Sequence, residues 1–234
     1  MSANADVLQR SGLIGSPAQE AALPRAGDSG EAGGWNPEDF AREQIRGLVR
    51  RVFFAGGERP VKQVVFSATE PNIDVASICD QVAQALALET RAAVAIAERE
   101  RGMAGTSGSR PHSTGSSAIK SWSTQIGINL WRVSVDGECG EGAGTGLHWL
   151  SHLAALRKEF EYAVIHGPAA GTSSEAALLG QLADGIILVL GAHSTRKATA
   201  RQIKESLEGA QCRILGTVLS KRTFPVPERI YRRL

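Results

Sequence analysis

The chain has 234 residues, 42% of them hydrophobic and 21% charged, with a formal net charge of +2. That length suits one α/β domain with an appended tail and a sizeable core. The near-neutral balance excludes a strongly basic nucleic-acid binder, and no apolar run approaches the ~20 residues that span a bilayer.

Residues 1–35 are rich in Ala, Gly, Ser and Glu, with Pro17 and Pro24 and no sustained periodicity, and read as a flexible leader. Asn36 to Phe54 reads as a helix. Asn36 caps it, Pro37 suits the first turn, Glu38 and Asp39 favour the positive end of the dipole, and Gly56-Gly57 ends it. Val61 to Ser67 is a strand, Asp74 to Leu88 a helix, and Ala92 to Ala97 a second short strand. Residues Arg101 to Ser117 form a Gly/Ser-rich loop, and Leu130 to Val135 is a third strand. A Gly-rich loop, Gly137 to Gly146, leads into a helix from Leu147 to Phe160. Tyr162 to His166 is a strand, Ser173 to Leu182 a helix, Gly185 to Leu190 a strand, Thr195 to Leu207 a helix, and Arg213 to Ser220 the last strand. The tail 221–234 carries Lys221, Arg222, Arg229, Arg232 and Arg233 against one acid, Glu228. Its prolines enforce an extended approach, after which Phe224, Ile230, Tyr231 and Leu234 give an apolar side.

The strands are short and rich in Val and Ile rather than alternating, as in a parallel sheet buried on both faces. Repeated βα units predict a doubly wound, mostly parallel α/β sheet with helices on both faces, spanning 36–220. Ligands in such sheets bind beyond the carboxyl ends of the strands. The first such end, Val64 to Ser77, has the strand–turn–helix frame of a phosphate loop. A working loop needs glycines that turn backbone N–H groups inward, a Lys for the β/γ-phosphates and a Ser/Thr for magnesium. Between Ser67 and Ser77 the loop instead carries Asn72, Asp74, Val75 and Ala76, with no Gly and no Lys, and an Asp there repels a triphosphate.

Several further segments bear on the reading: Glu43-Gln44-Ile45-Arg46-Gly47-Leu48, Phe66-Ser67 with Glu70-Pro71, Phe160 to Pro168, and Leu182-Ala183-Asp184-Gly185-Ile186-Ile187-Leu188-Val189. Together they resemble the tyrosine-autokinase domains of bacterial exopolysaccharide export (CpsD/CapB-like), in the MinD/ParA-like branch of P-loop ATPases. The resemblance runs from about Glu43 to the C-terminus, and the Leu-Ala-Asp-Gly stretch is its most specific part. It implies a cytoplasmic protein beside a membrane polysaccharide co-polymerase or export protein, with Glu43 and Arg46 on a helix linked to ring assembly in relatives.

The departures from that pattern are as informative. The loop lacks Gly at Asn72 and Asp74, Lys at Val75 and Ser/Thr at Ala76. Glu98 is the only carboxylate where the family has Asp-x-Asp, and His166 replaces the Asp that helps hold magnesium. Ser220 stands where relatives carry the base-reading Asn, and the C-terminal tyrosine cluster is reduced to Tyr231. Phosphoryl transfer depends on positioning and electrostatic stabilisation, and a joint loss of these parts predicts a protein that acts by binding rather than turnover, with no cofactor.

Other constellations carry less. His148 and His152 stand one helical turn apart without the Glu of a zincin or a third ligand, and read as surface-edge histidines. Cys79, Cys139 and Cys212 are odd in number and widely spaced, and read as reduced thiols in a cytoplasmic protein. No apolar segment follows Met1, so no secretory signal is expected. Expected partners are the co-polymerase or a neighbouring subunit, through Glu43, Arg46, Phe224, Tyr231, Arg232 and Arg233, and no nucleic acid. Two alternatives stay open: an ATP- and magnesium-dependent autokinase using His166, Glu98 and Arg196-Lys197, and a MinD-like membrane-positioning protein.

Overall fold

The computed structural model describes residues 37–56, 60–99, 123–135 and 145–221, all within the unit Trp35–Leu234. Among them, helix α1 (Pro37–Phe53) is followed by β1 (Gln63–Ala68), α2 (Ala76–Thr90), β2 (Val94–Arg99), β3 (Ser123–Gly127) and β4 (Leu130–Val135). Then come α3 (Thr145–Glu159), β5 (Tyr162–His166), α4 (Glu175–Leu182), β6 (Gly185–Gly191), α5 (Lys197–Gly209) and β7 (Ile214–Ser220). The strands form one sheet in the order β3-β4-β2-β5-β1-β6-β7. Every pairing is parallel except that of β3 with β4.

The central strands are buried on both faces because helices cover both. Successive residues point to opposite sides. Val64 and Phe66 of β1 therefore join Val94, Ile96, Val164 and the α1–α2 residues Val49, Val52, Val82 and Leu86 in one core. Val65 joins Ala95, Ile165, Ile186 and Leu188 against Trp149, Leu153, Leu156, Ile203 and Leu207 in the other. Burying both faces accounts for the unbroken Val/Ile runs in the sequence. Helix α1 carries acids in its first turn and Arg50 and Arg51 in its last, each favourable to the dipole. Gly56 beyond its end has φ +66°, a conformation that favours glycine.

Three expectations need correction. Strand β3 was not expected. Its sequence, Ser-Thr-Gln-Ile-Gly, is largely exposed, and it exists by antiparallel pairing with β4 rather than by burial. Helix α2 begins at Ala76 rather than Asp74, because the residues before it form a turn closed by the Ile73 N–H on the Glu70 carbonyl, 3.3 Å apart. His152 is buried, not at a surface edge, because α3 lays that side against the sheet beside Leu153 and Leu156. The boundaries of β1, β2, α4 and α5 also move by one or two residues, as helix and strand ends commonly do. The Arg101–Ser117 loop, Cys139 and the tail from Arg222 lie outside the described residues.

Candidate functional site: the cleft beyond β1, β2, β5 and β6

The register aligns Phe66 of β1, His166 of β5 and Glu98 of β2 side by side at the carboxyl ends of their strands. Above β1 the chain turns through residues 69–75 into α2. Thr69 is buried. Its N–H donates to the Val189 carbonyl at 3.0 Å, and its hydroxyl lies 3.0 Å from that of Thr195. Thr195 Oγ1 in turn accepts the Gly191 N–H at 3.0 Å, so the β6 end is tied to the β1 end.

The sequence-predicted loop residues are divided by this turn. Val75, where the resemblance leads one to expect a phosphate-binding Lys, is 3% exposed and packs in the α2-side core with Ile73. Asn72 and Asp74 are exposed. Asp74 Oδ1 accepts the Ser77 N–H at 3.1 Å, so its carboxylate satisfies one of the free donors at the start of α2. Ala76, half-buried, opens the helix. Nothing in this arrangement presents a cation or a row of inward N–H groups from glycines.

The segment after β5 lies across the mouth of β1. The Gly167 N–H donates to the Phe66 carbonyl at 2.9 Å, the Ala170 N–H to the Ala68 carbonyl at 2.8 Å, and the Ser67 hydroxyl to the Pro168 carbonyl at 2.5 Å. The fit is close enough that a Cβ at Gly171 would collide with the Thr69 carbonyl oxygen, so only glycine passes there.

Glu98 and His166 sit half-buried at neighbouring register positions. Glu98 is engaged by Arg132 of β4, whose Nε lies 3.4 Å from Glu98 Oε1. Ser220 ends β7, and its carbonyl accepts the Ala192 N–H at 3.0 Å. A second cluster stands near the same end: Glu175 accepts the Trp149 indole N–H at 2.6 Å and pairs with Arg99 at 2.9 Å.

Asp184, in the most specific segment of the sequence, is not in the cleft. It precedes β6 at the opposite end of the sheet, where its Oδ2 accepts the Lys62 and Gln63 N–H groups at 2.8 and 2.7 Å. Its Oδ1 accepts from Arg157 at 2.8 Å. Burial raises its pKa, but the Arg157 hydrogen bond and the two backbone N–H groups prevail and hold the carboxyl below its ordinary value. Its role is to join β1, β6 and α3. The Cys79 thiol is pushed up by burial, which leaves it protonated and unreactive.

Glu43 and Arg46 lie on the exposed side of α1, 3.8 Å apart as an i,i+3 pair. The other partner candidates, Phe224, Tyr231, Arg232 and Arg233, lie outside the described residues. Sequence reasoning missed Arg132, Arg157 and the Trp149–Glu175–Arg99 cluster. Arg132 did leave a signal: it is the one charged residue inside the apolar run Leu130–Val135.

Neither a family model nor a curated protein sequence matches this chain. Among solved structures, the chimerical protein CapA2B2 is similar at TM-score 0.61 and 19% identity, over 78% of this chain and 85% of that one. The kinase domain of the Escherichia coli tyrosine kinase ETK is similar at TM-score 0.60 and 15% identity, over 80% of this chain and 79% of that one. The MinD cell division protein of Aquifex aeolicus is similar at TM-score 0.51 and 13% identity, over 74% and 73%. The fold is thus the α/β P-loop type of bacterial tyrosine-kinase domains and MinD, the group to which the sequence resemblance pointed.

Proposed function

We propose that this chain is a catalytically degenerate P-loop protein that acts as a binding or regulatory partner in bacterial exopolysaccharide biosynthesis and export. The observation that carries the reading is the β1–α2 loop. The position that would hold the phosphate lysine is a buried valine, and the neighbouring carboxylate is spent on the helix start. A magnesium–triphosphate group needs a cation and inward N–H groups over the loop, and metal-facing carboxylates at the β2 and β5 ends. Here the loop offers Asn72 and Asp74, the β5 end offers His166, and Glu98 is paired with Arg132, a set that does not fit that group.

The kinship of fold with tyrosine-kinase domains supports the export setting. Partner contact falls to the exposed Glu43–Arg46 side of α1 and to Phe224, Tyr231, Arg232 and Arg233 in the tail. The partner is a membrane polysaccharide co-polymerase or a neighbouring subunit, and it places a cytoplasmic protein at the inner face of the membrane. Among the described residues no helix is long and apolar enough to cross a membrane.

Calorimetric titration with magnesium–ATP, together with phosphate analysis of Tyr231 after incubation, tests the reading. The expected result is no binding at micromolar nucleotide and no phosphotyrosine. Micromolar affinity or a modified Tyr231 would replace this reading with that of an active, atypical autokinase.

A further inference from the structure

On the α2 side of the sheet two acids face β4, Asp80 from the second turn of α2 and Glu98 near the end of β2. A single guanidinium reaches both. Arg132 of β4 places a terminal nitrogen 2.7 Å from Asp80 Oδ1, as a hydrogen bond and an ion pair, and its Nε 3.4 Å from Glu98 Oε1. That Nε atom is buried and makes no hydrogen bond, so what offsets its desolvation is Coulomb attraction to Glu98.

The placement is specific. Arg132 is in register with Ile96, and Glu98 stands two residues further along the same face of β2. The arginine therefore projects from an apolar strand, between the buried Leu130 and Val133, toward the helix that follows the phosphate-loop position. What the arginine adds is charge between two carboxylates carried by different elements.

We propose that Arg132 is a built-in counter-ion. It does for Asp80 and Glu98 what a bound divalent cation does in an acid-lined cleft, and it holds α2 to the β2–β4 edge in one arrangement whether or not metal is in solution. A planar guanidinium serves two carboxylates at once, which an ammonium does poorly. The inference rests on the functional reading in one respect, that this cleft works without an exchangeable cation. Its consequence is that α2 keeps one position against the β2–β4 edge rather than moving with the cation content of the solution.

The test is thermal unfolding of the full chain at low ionic strength, in millimolar MnCl2 against NaCl of matched ionic strength. The wild type should melt at the same temperature in both. Arg132→Ala should melt about 1–4 °C lower in NaCl, the scale of a half-exposed pair in a domain of this size. It should recover at least half of that loss in MnCl2, as the uncovered acids take up Mn2+. Arg132→Ala with Glu98→Gln should not recover, and Arg132→Lys should fall between wild type and Arg132→Ala. An unchanged melting temperature for Arg132→Ala, a loss that Mn2+ does not repair, or equal stabilisation of the wild type by Mn2+ would each overturn the proposal. If Arg132→Ala does not fold, Arg132→Gln, which keeps the stem, is judged by the same criteria. ATP binding by the wild type would sink the functional reading alone, because these melts contain no nucleotide.

Discussion

Replacing Val75 by Lys restores the charge that a phosphate loop uses, and asks whether position 75 is still a phosphate position or has become core. The wild-type side chain is 3% exposed and packs with Ile73 and Val82. Its loss forfeits about 1.5–3 kcal/mol of apolar burial. The lysine stem must then thread out to water beside the exposed Asp74, at up to ~2 kcal/mol of rotamer entropy, partly offset by the contacts its methylenes keep. The net loss is about 2–4 kcal/mol. At about 2–4 °C per kcal/mol for a domain of this size, the thermal midpoint falls by roughly 5–15 °C. Urea unfolding followed by the fluorescence of the buried Trp149 reads the stability, and titration with magnesium–ATP on the same preparation reads the site. The expected outcome is a lower urea midpoint at unchanged slope, with no micromolar nucleotide binding. A Val75→Lys protein that unfolds at the wild-type midpoint and binds magnesium–ATP at micromolar concentration would refute the reasoning, since the loop would then be a phosphate loop short of nothing but its charge.

Asp184→Ala should cost about 2–4 kcal/mol, because two backbone donors and Arg157 lose their acceptor at the closed end of the sheet. The folded pKa of Asp184 lies below its unfolded value, so its contribution is complete above the unfolded value of about 4 and disappears as pH falls through the folded value. Urea midpoints of wild type and variant should therefore converge in acid; a gap that widened below pH 4 would contradict the assignment. Gly171→Ala should cost about 1–3 kcal/mol by driving the post-β5 segment off the Thr69 carbonyl. Hydrogen exchange should speed at Gly167 and Ala170, whose N–H groups donate to the Phe66 and Ala68 carbonyls and hold the two segments together, while α1 is unaffected.

The sheet was legible because its strands are short apolar runs separated by turn residues and helical stripes, a pattern written in local sequence. The same locality explains the errors. Strand β3 has no apolar run to announce it and depends on a hydrogen-bonded neighbour. Asp74 looked like a helix residue by its dipole preference, yet the turn at Glu70–Ile73 leaves it outside α2, where its side chain still serves the Ser77 N–H. His152 reads as polar in one dimension, and only the docking of α3 shows it covered. Glu98 and His166 were found as positions, but Arg132 could not be assigned to Glu98, because 33 residues of chain lie between them and only the β2–β4 pairing brings them together.

By itself, the sequence determined the α/β class, the order of the elements and the chemical poverty of the first loop, since these follow from residue type and spacing along the chain. Tertiary structure decided what became of that loop: Val75 sealed into the core, Asp74 committed to a backbone donor, Glu98 held by an arginine from a strand two places further along in the chain. Burial and ion pairing depend on which segments become neighbours in space, and nearest-neighbour chemistry along the backbone does not contain that information.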